Sequence, residues 1–102
     1  MASDDPLEGC TGFDWDDGNL EKNWELHRVP FWEAEEVFFS EPLVVRPDRE
    51  HSVSEVRYFA LGQTDSGRRL FISFTTRGAL VRVISARDMT RRELRAYEQK
   101  EA

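Results

Sequence analysis

Arg68, Arg77, Arg82 and Arg87 recur through the second half of the chain and Arg91, Arg92 and Arg95 follow, so that nine of the ten bases after residue 50 are arginine. An arginine presents a planar fork of donors that matches two phosphate oxygens at once, where lysine offers a point charge. Residues 1–50 carry 14 acids against 4 bases, whereas residues 51–102 carry 6 acids against 10 bases. The net charge of −6 therefore conceals a cationic surface, and the chemistry this surface suits is phosphate binding. Groups able to move a proton are fewer: His27, His51 and Glu55 are the candidates.

Each candidate has a plainer reading beside it. Arg82 alternates with Leu80 and Ile84, so it shares a strand face with apolar residues and needs a partner there, either a carboxylate or a phosphate. Arg68 and Arg77 flank turns, where solvation alone accounts for most arginines. Arg87 follows the last strand, where a helix must begin. His27 falls on the apolar side of a helix with Leu20 and Trp24, which suits a hydrogen-bonded structural histidine as well as a base.

Stepping along the chain gives the elements that position these groups. Residues 1–12 are rich in Asp, Gly, Ser and Pro without apolar periodicity and read as a flexible leader, leaving 13–102 as a single domain. Asp14, Asp16 and Asp17 supply caps for a helix from about Leu20, with Leu20, Asn23, Trp24 and His27 on one side. A second short helix starts at Pro30 or Phe31, with Phe31, Ala34, Val37 and Phe38 inward and Glu33 and Glu36 toward water. Four strands follow, at Leu43–Val45, Val56–Leu61, Leu70–Thr76 and Leu80–Ala86, with hairpin-length connections that make neighbours antiparallel. Thr90 with Glu93 forms a capping-box pattern for a last helix, on which Arg91, Arg92 and Arg95 share an arc while Leu94 and Tyr97 face the sheet. The expected fold is α+β: two N-terminal helices, a four-stranded mainly antiparallel sheet and a C-terminal helix.

Composition narrows the function classes. Twelve aromatic residues among 102 supply a modest core and argue against full-length disorder. The single cysteine, Cys10, allows no intramolecular disulfide and no cysteine metal site. No apolar run approaches the ~20 residues of a membrane span, and no signal-peptide pattern is present, which fits a cytoplasmic protein. Walker, dinucleotide and GxSxG motifs are absent, as is zinc spacing, so no metal site or cofactor is expected. The pairs Phe31-Trp32 and Phe38-Phe39 could stack on bases, though helical spacing favours core for most of them.

Phe13-Asp14-Trp15-Asp16-Asp17-Gly18-Asn19, Glu21-Lys22-Asn23-Trp24, Glu33-Ala34-Glu35-Glu36-Val37-Phe38 and the block from Gly67 through Ser85-Ala86-Arg87-Asp88-Met89 to Tyr97-Glu98 resemble BrnT-type toxins over about residues 13–98. The resemblance implies a RelE-like endoribonuclease toxin of a bacterial type II toxin–antitoxin pair, cutting RNA without a metal and neutralised by a BrnA-type antitoxin. That antitoxin would carry a ribbon-helix-helix module, so DNA would be reached only indirectly, through the partner. A ribonuclease of this kind must activate a 2′-hydroxyl, stabilise the phosphorane-like transition state and protonate the leaving 5′-oxygen. The resemblance lifts Arg68, His51 and Glu55 to catalytic candidates beside Arg82 and His27, and Arg57 joins Arg77, Arg87 and Arg28 as candidates for RNA phosphate; the basic face of Arg91, Arg92 and Arg95 is left to the antitoxin or to water.

The chain departs from the family's Asn-x-x-Lys-His-Gly pattern, reading Asn23-Trp24-Glu25-Leu26-His27-Arg28. Leu26 removes a cation, and Arg28 stands where glycine would suit a left-handed helix end, so it should strain the cap while supplying a replacement charge. Two alternatives to an active toxin follow. One is a catalytically impaired homologue that still binds an antitoxin; the other is a regulatory interaction domain.

Overall fold

The β-branched and aromatic runs after residue 43 do form strands, because alternate residues bury one face and the turns between them are short. The computed structural model describes residues 5–101. Its single sheet has the order β1-β5-β4-β3-β2, with β1 Gly12–Asp14, β2 Val44–Pro47, β3 Tyr58–Gln63, β4 Arg69–Arg77 and β5 Leu80–Asp88. Helices α1 (Asp17–His27), α2 (Phe31–Val37) and α3 (Arg91–Glu101) complete the α+β fold, with a 3-10 turn at Arg49–His51. β2 to β5 pair antiparallel, β3–β4 and β4–β5 through the hairpin-length connections expected. Gly78, at φ 59, makes the tight β4–β5 turn that other residues would adopt only under strain.

The four-strand expectation is corrected to five. β1 lies in the stretch read as leader and helix cap, pairing parallel with β5 through Gly12, Phe13 and Asp14. Three residues are too few for a period of two to show, so sequence alone hid the strand. Before it, Thr11 N–H donates to Ala79 O at 2.8 Å, and Leu7 and Cys10 pack against the core. Residues 1–4 of the expected leader lie outside the described residues.

On one sheet face, Ala60, Ile72 and Ala86 form a cross-strand row of wholly buried residues beside Leu70, Phe74, Val81 and Val83. Val29, Ala34 and Val37 close over them. The α2 end comes so near β3 that a Cβ on Gly62 would lie 2.8 Å from Val37 Cγ1. The other face carries Phe59, Leu61 and Phe71 under α3, which anchors through the buried Tyr97, whose hydroxyl donates to Pro42 O at 2.6 Å.

Two irregularities set the site's geometry. Phe74 pairs with Val83 but Ser73 with Ser85, so Ile84 is an extra residue bulged from β5. Arg82 and Arg87 are five apart and would otherwise point to opposite faces; the bulge puts both on the α3 face, opposite Thr75 and Phe71. Past Arg82, β1 no longer covers the β5 edge, and α1 takes its place. Asn19 Nδ2 donates to Val83 O at 3.3 Å, and Ala86 N–H donates to Asn23 Oδ1 at 3.2 Å, so side chains four apart on a helix satisfy an open strand edge.

The helix ends match their signals. Asp16 caps α1 by accepting from Asn19 N–H at 2.7 Å. Arg28 closes it at φ 53, ψ 40, with its own N–H bonded to Trp24 O, the bond of an αL closure, and that of Val29 bonded to Asn23 O. The cap forms as a glycine would form it, with a non-glycine residue held left-handed. Thr90 and Glu93 make the reciprocal capping box at 3.2 and 2.9 Å.

Candidate functional site

An open groove of about 400 Å³ lies on the outer sheet face between α3 and the 3-10 turn. Phe59, Leu61 and Phe71 floor it, Arg92, Glu93 and Ala96 form one wall, and Asp48 forms the other. Its floor is a ladder of flat groups: Phe59 stacks on Phe71 at 5.3 Å and 17°, and Arg87 lies over Phe71 at 4.1 Å. Phe71, from the middle strand β4, stands between the other two, so a further flat group would extend the stack beyond Phe59, toward Asp48. Asp48 Oδ2 holds His51 Nδ1 at 2.8 Å, leaving the exposed imidazole's Nε2 open to solvent. The groove thus joins a stacking platform and Arg92, whose guanidinium has no partner within the described residues, and its Asp48 wall carries the oriented His51. Arg91 and Arg95 extend the positive charge along the solvent side of α3.

Arg82, Arg68, Arg87 and Arg77 are instead paired with carboxylates of the protein. Arg82 bonds Asp14 at 3.0 Å and also Asp16, so its partner on the sheet is a pair of aspartates. Arg68 is saturated: Nε and Nη2 meet Asp88, Nη1 meets Glu33 and Arg28 O, and Nη2 also meets His27 O. Its five N–H groups have five acceptors, drawn from α1's last carbonyls, α2 and the end of β5. Glu33, expected to meet water, is therefore turned into an ion cluster. Arg87 grips Glu93 with both Nη atoms at 2.8 and 3.0 Å. Arg77 faces Glu55 at 3.5 Å, so the residue expected to bind phosphate pairs with one expected to move a proton.

His27 is half-buried beside the Arg68 cluster, away from His51, and Arg28 lies 5.2 Å over the Trp24 ring. Arg57 has a half-buried position on the loop into β3, and its N–H is held by Ser52 Oγ at 2.9 Å. The fold therefore separates the candidates into a histidine–arginine cluster at the α1–β4–β5 junction and the open groove on the opposite face.

The electrostatics favour the groove for an incoming phosphate. The hydrogen bond from Arg68 holds the Asp88 carboxyl below its ordinary range against the opposing effect of burial, and Asp88 in turn raises the Arg68 pKa. Burial pushes the Glu93 carboxyl up, but Arg87 and the Thr90 N–H outweigh it, and the net shift is downward. Both pairs are thus internally neutralised, whereas Arg91, Arg92 and Arg95 keep their charge for a ligand.

Asp48, Phe59 and Phe71 were not singled out from sequence. Phe59 and Phe71 sit diagonally across a β3–β4 register in which Leu61 pairs with Phe71, and that diagonal contact becomes visible only once the register is known. The aromatic pairs weighed instead behave differently: Phe38 packs against Phe13 and Phe74, but Phe31, Trp32 and Phe39 are exposed and not core.

A model of the family described as "Ribonuclease toxin, BrnT, of type II toxin-antitoxin system" matches residues 15–93. This chain belongs to the BrnT family. Membership gives this BrnT chain the role of a toxin, a ribonuclease family and an antitoxin as partner. Its fold is similar to the crystal structure of the Brucella abortus ribonuclease toxin BrnT, with a TM-score of 0.60 and 20% identity, covering 78% of this chain and 97% of that one. No curated protein matches the sequence. No helix among the described residues is long and apolar enough to cross a membrane.

Proposed function

We propose that this chain is a metal-independent endoribonuclease whose RNA site is the outer-face groove. The observation that carries this reading is one groove that holds the Phe59–Phe71–Arg87 stack and Arg92, without a partner among the described residues, and whose Asp48 wall bonds His51. A base adds to the stack beyond Phe59, and Arg92, supported by Arg91 and Arg95, binds the adjoining phosphate. The hydrogen bond to Asp48 fixes the neutral tautomer of His51 with its proton on Nδ1, so Nε2 takes the 2′-hydroxyl proton. The 2′-oxygen bonds to phosphorus, the P–O5′ bond breaks, and water delivers a proton to the 5′-oxygen. The products are a 2′,3′-cyclic phosphate and a 5′-hydroxyl. In this account Arg82 and Arg68 hold the fold, and Glu55 with Arg77 steadies the loop after the 3-10 turn.

The partner in this reading is a BrnA-type antitoxin in the same cytoplasm, and DNA is contacted only by that partner. The test is to incubate the purified chain with bulk RNA in EDTA and identify fragment ends. Cleavage with cyclic phosphate ends, lost by at least a hundredfold in folded His51→Ala, is expected. Unchanged cleavage by His51→Ala would overturn the assignment of the base.

A second reading, a weakened toxin retained for antitoxin binding, draws on Leu26. It is 66% exposed where the family pattern carries lysine, so no packing need explains the leucine. A faster Leu26→Lys variant would support it.

A further inference from the structure

The α1–α2 hairpin exposes an apolar pocket of about 320 Å³ lined by Leu20, Trp24, Pro30, Phe31 and Trp32. Trp24 is 48% exposed and Trp32 56%, and Phe31 meets Trp32 edge-on at 5.5 Å. Two half-exposed tryptophans lining one pocket are costly to leave in water, and tryptophan is among the residue types most enriched at the energetic centres of protein interfaces. The edge of the pocket is charged. Asp17, Glu21 and Glu25 follow one another at spacings of four along α1, all exposed, directly beside the Leu20–Trp24 stripe. Arg28, over Trp24, is the cation of this edge, so carboxylates outnumber it. No residue that lines the groove lines this pocket, and its acidic border repels RNA.

We propose that this pocket is the docking site for an amphipathic helix of a protein partner, with bulky apolar side chains for the tryptophan pocket and lysine or arginine flanking them to meet the α1 carboxylates. The inference rests on the toxin–antitoxin reading in one respect: the antitoxin is the partner that supplies the helix. It moves the expected antitoxin contact from Arg91, Arg92 and Arg95 on α3 to the α1–α2 hairpin, and leaves those arginines to RNA.

The probe is a synthetic amphipathic helix of leucine and lysine, about five turns long, with a leucine–glutamate counterpart as control. Titration of the full chain should shift the indole N–H resonances of Trp24 and Trp32 at one-to-one stoichiometry. Affinity should fall at least tenfold in Trp32→Ala and in the double variant Glu21→Lys with Glu25→Lys, with circular dichroism unchanged. RNA cleavage by these variants should stay within twofold of the parent, so failure of the docking site and failure of the ribonuclease reading are told apart. Equal binding of the leucine–glutamate peptide, no binding of the leucine–lysine peptide, or undiminished affinity in Trp32→Ala would overturn the proposal. A dimer of the free chain that Trp32→Ala converts to monomer would also overturn it, assigning the pocket to a second copy.

Discussion

Arg68 and Asp88 face each other as a two-pronged ion pair, Nε to Oδ1 at 2.8 Å and Nη2 to Oδ2 at 3.1 Å. The pair joins the start of β4 to the end of β5, and the same guanidinium ties in Glu33 and the last carbonyls of α1. A phosphate at Arg68 would have to displace an oxygen that already satisfies one of its N–H groups. An arginine that the family resemblance made a catalytic candidate is thus built into the frame.

Arg68→Ala should lower the unfolding free energy by about 3 kcal/mol, because charge-assisted hydrogen bonds contribute roughly 1.5–3 kcal/mol each and a shared network does not add up in full. Arg68→Lys should recover little, since a point charge cannot reach acceptors on three sides. Urea unfolding measures both. A fully stable Arg68→Ala that no longer cleaves RNA would restore Arg68 to the catalytic set.

Arg28→Gly should stabilise the chain by about 1 kcal/mol, the cost of holding a residue with a Cβ left-handed. The bond from Arg68 goes to the Arg28 carbonyl and survives the change; only the stacking on Trp24 is lost. A lower thermal midpoint for Arg28→Gly would show that this stacking outweighs the backbone strain.

Stability should fall in acid. Asp88 and Glu93 have folded-state pKa values below their ordinary ones, so their contribution is complete above the unfolded values of about 4 and disappears as pH drops through the lowered folded values. The urea midpoint should therefore decline below about pH 4. Glu93→Gln should be weaker at pH 7 and show a flatter acid limb. An unchanged slope in Glu93→Gln would remove Glu93 from the titrating set.

Phe59→Leu keeps the groove's apolar floor while removing the outermost ring of the stack. Single-stranded RNA affinity should drop by about 1–3 kcal/mol, the loss of one stacked base, with little change in unfolding. Fluorescence anisotropy with a labelled oligonucleotide reads this directly. Equal affinity in the variant would show that bases bind elsewhere.

Much of the architecture was legible because it depends on local signals: the Asp16 and Thr90 caps, the β-branched runs, the turns at Gly67 and Gly78, and the left-handed residue at Arg28. β1 was not legible, because its pairing with β5 depends on a partner nearly 70 positions away and spans only Gly12–Asp14. The bulge at Ile84 broke the alternation from which the neighbours of Arg82 were read, and sent Arg82 and Arg87 to one face. The candidate site was harder still. Composition announces an excess of arginine, but only the three-dimensional pairing shows which arginines meet Asp14, Asp16, Asp88 and Glu93 and which remain available. His51 came from the resemblance, while its orienting Asp48 sits three residues earlier and needed only the 3-10 turn to bring it into contact.

The central claim is that RNA lies in the outer-face groove and not at the Arg68 cluster. The direct measurement is NMR titration of the chain with an oligonucleotide carrying a 2′-deoxy residue that blocks cleavage. The account predicts that the largest shifts fall on Phe59, Phe71, Arg92 and the His51 ring, with Arg68 and Asp88 unmoved. Shifts centred on His27, Arg68 and Asp88, with the groove silent, would contradict it.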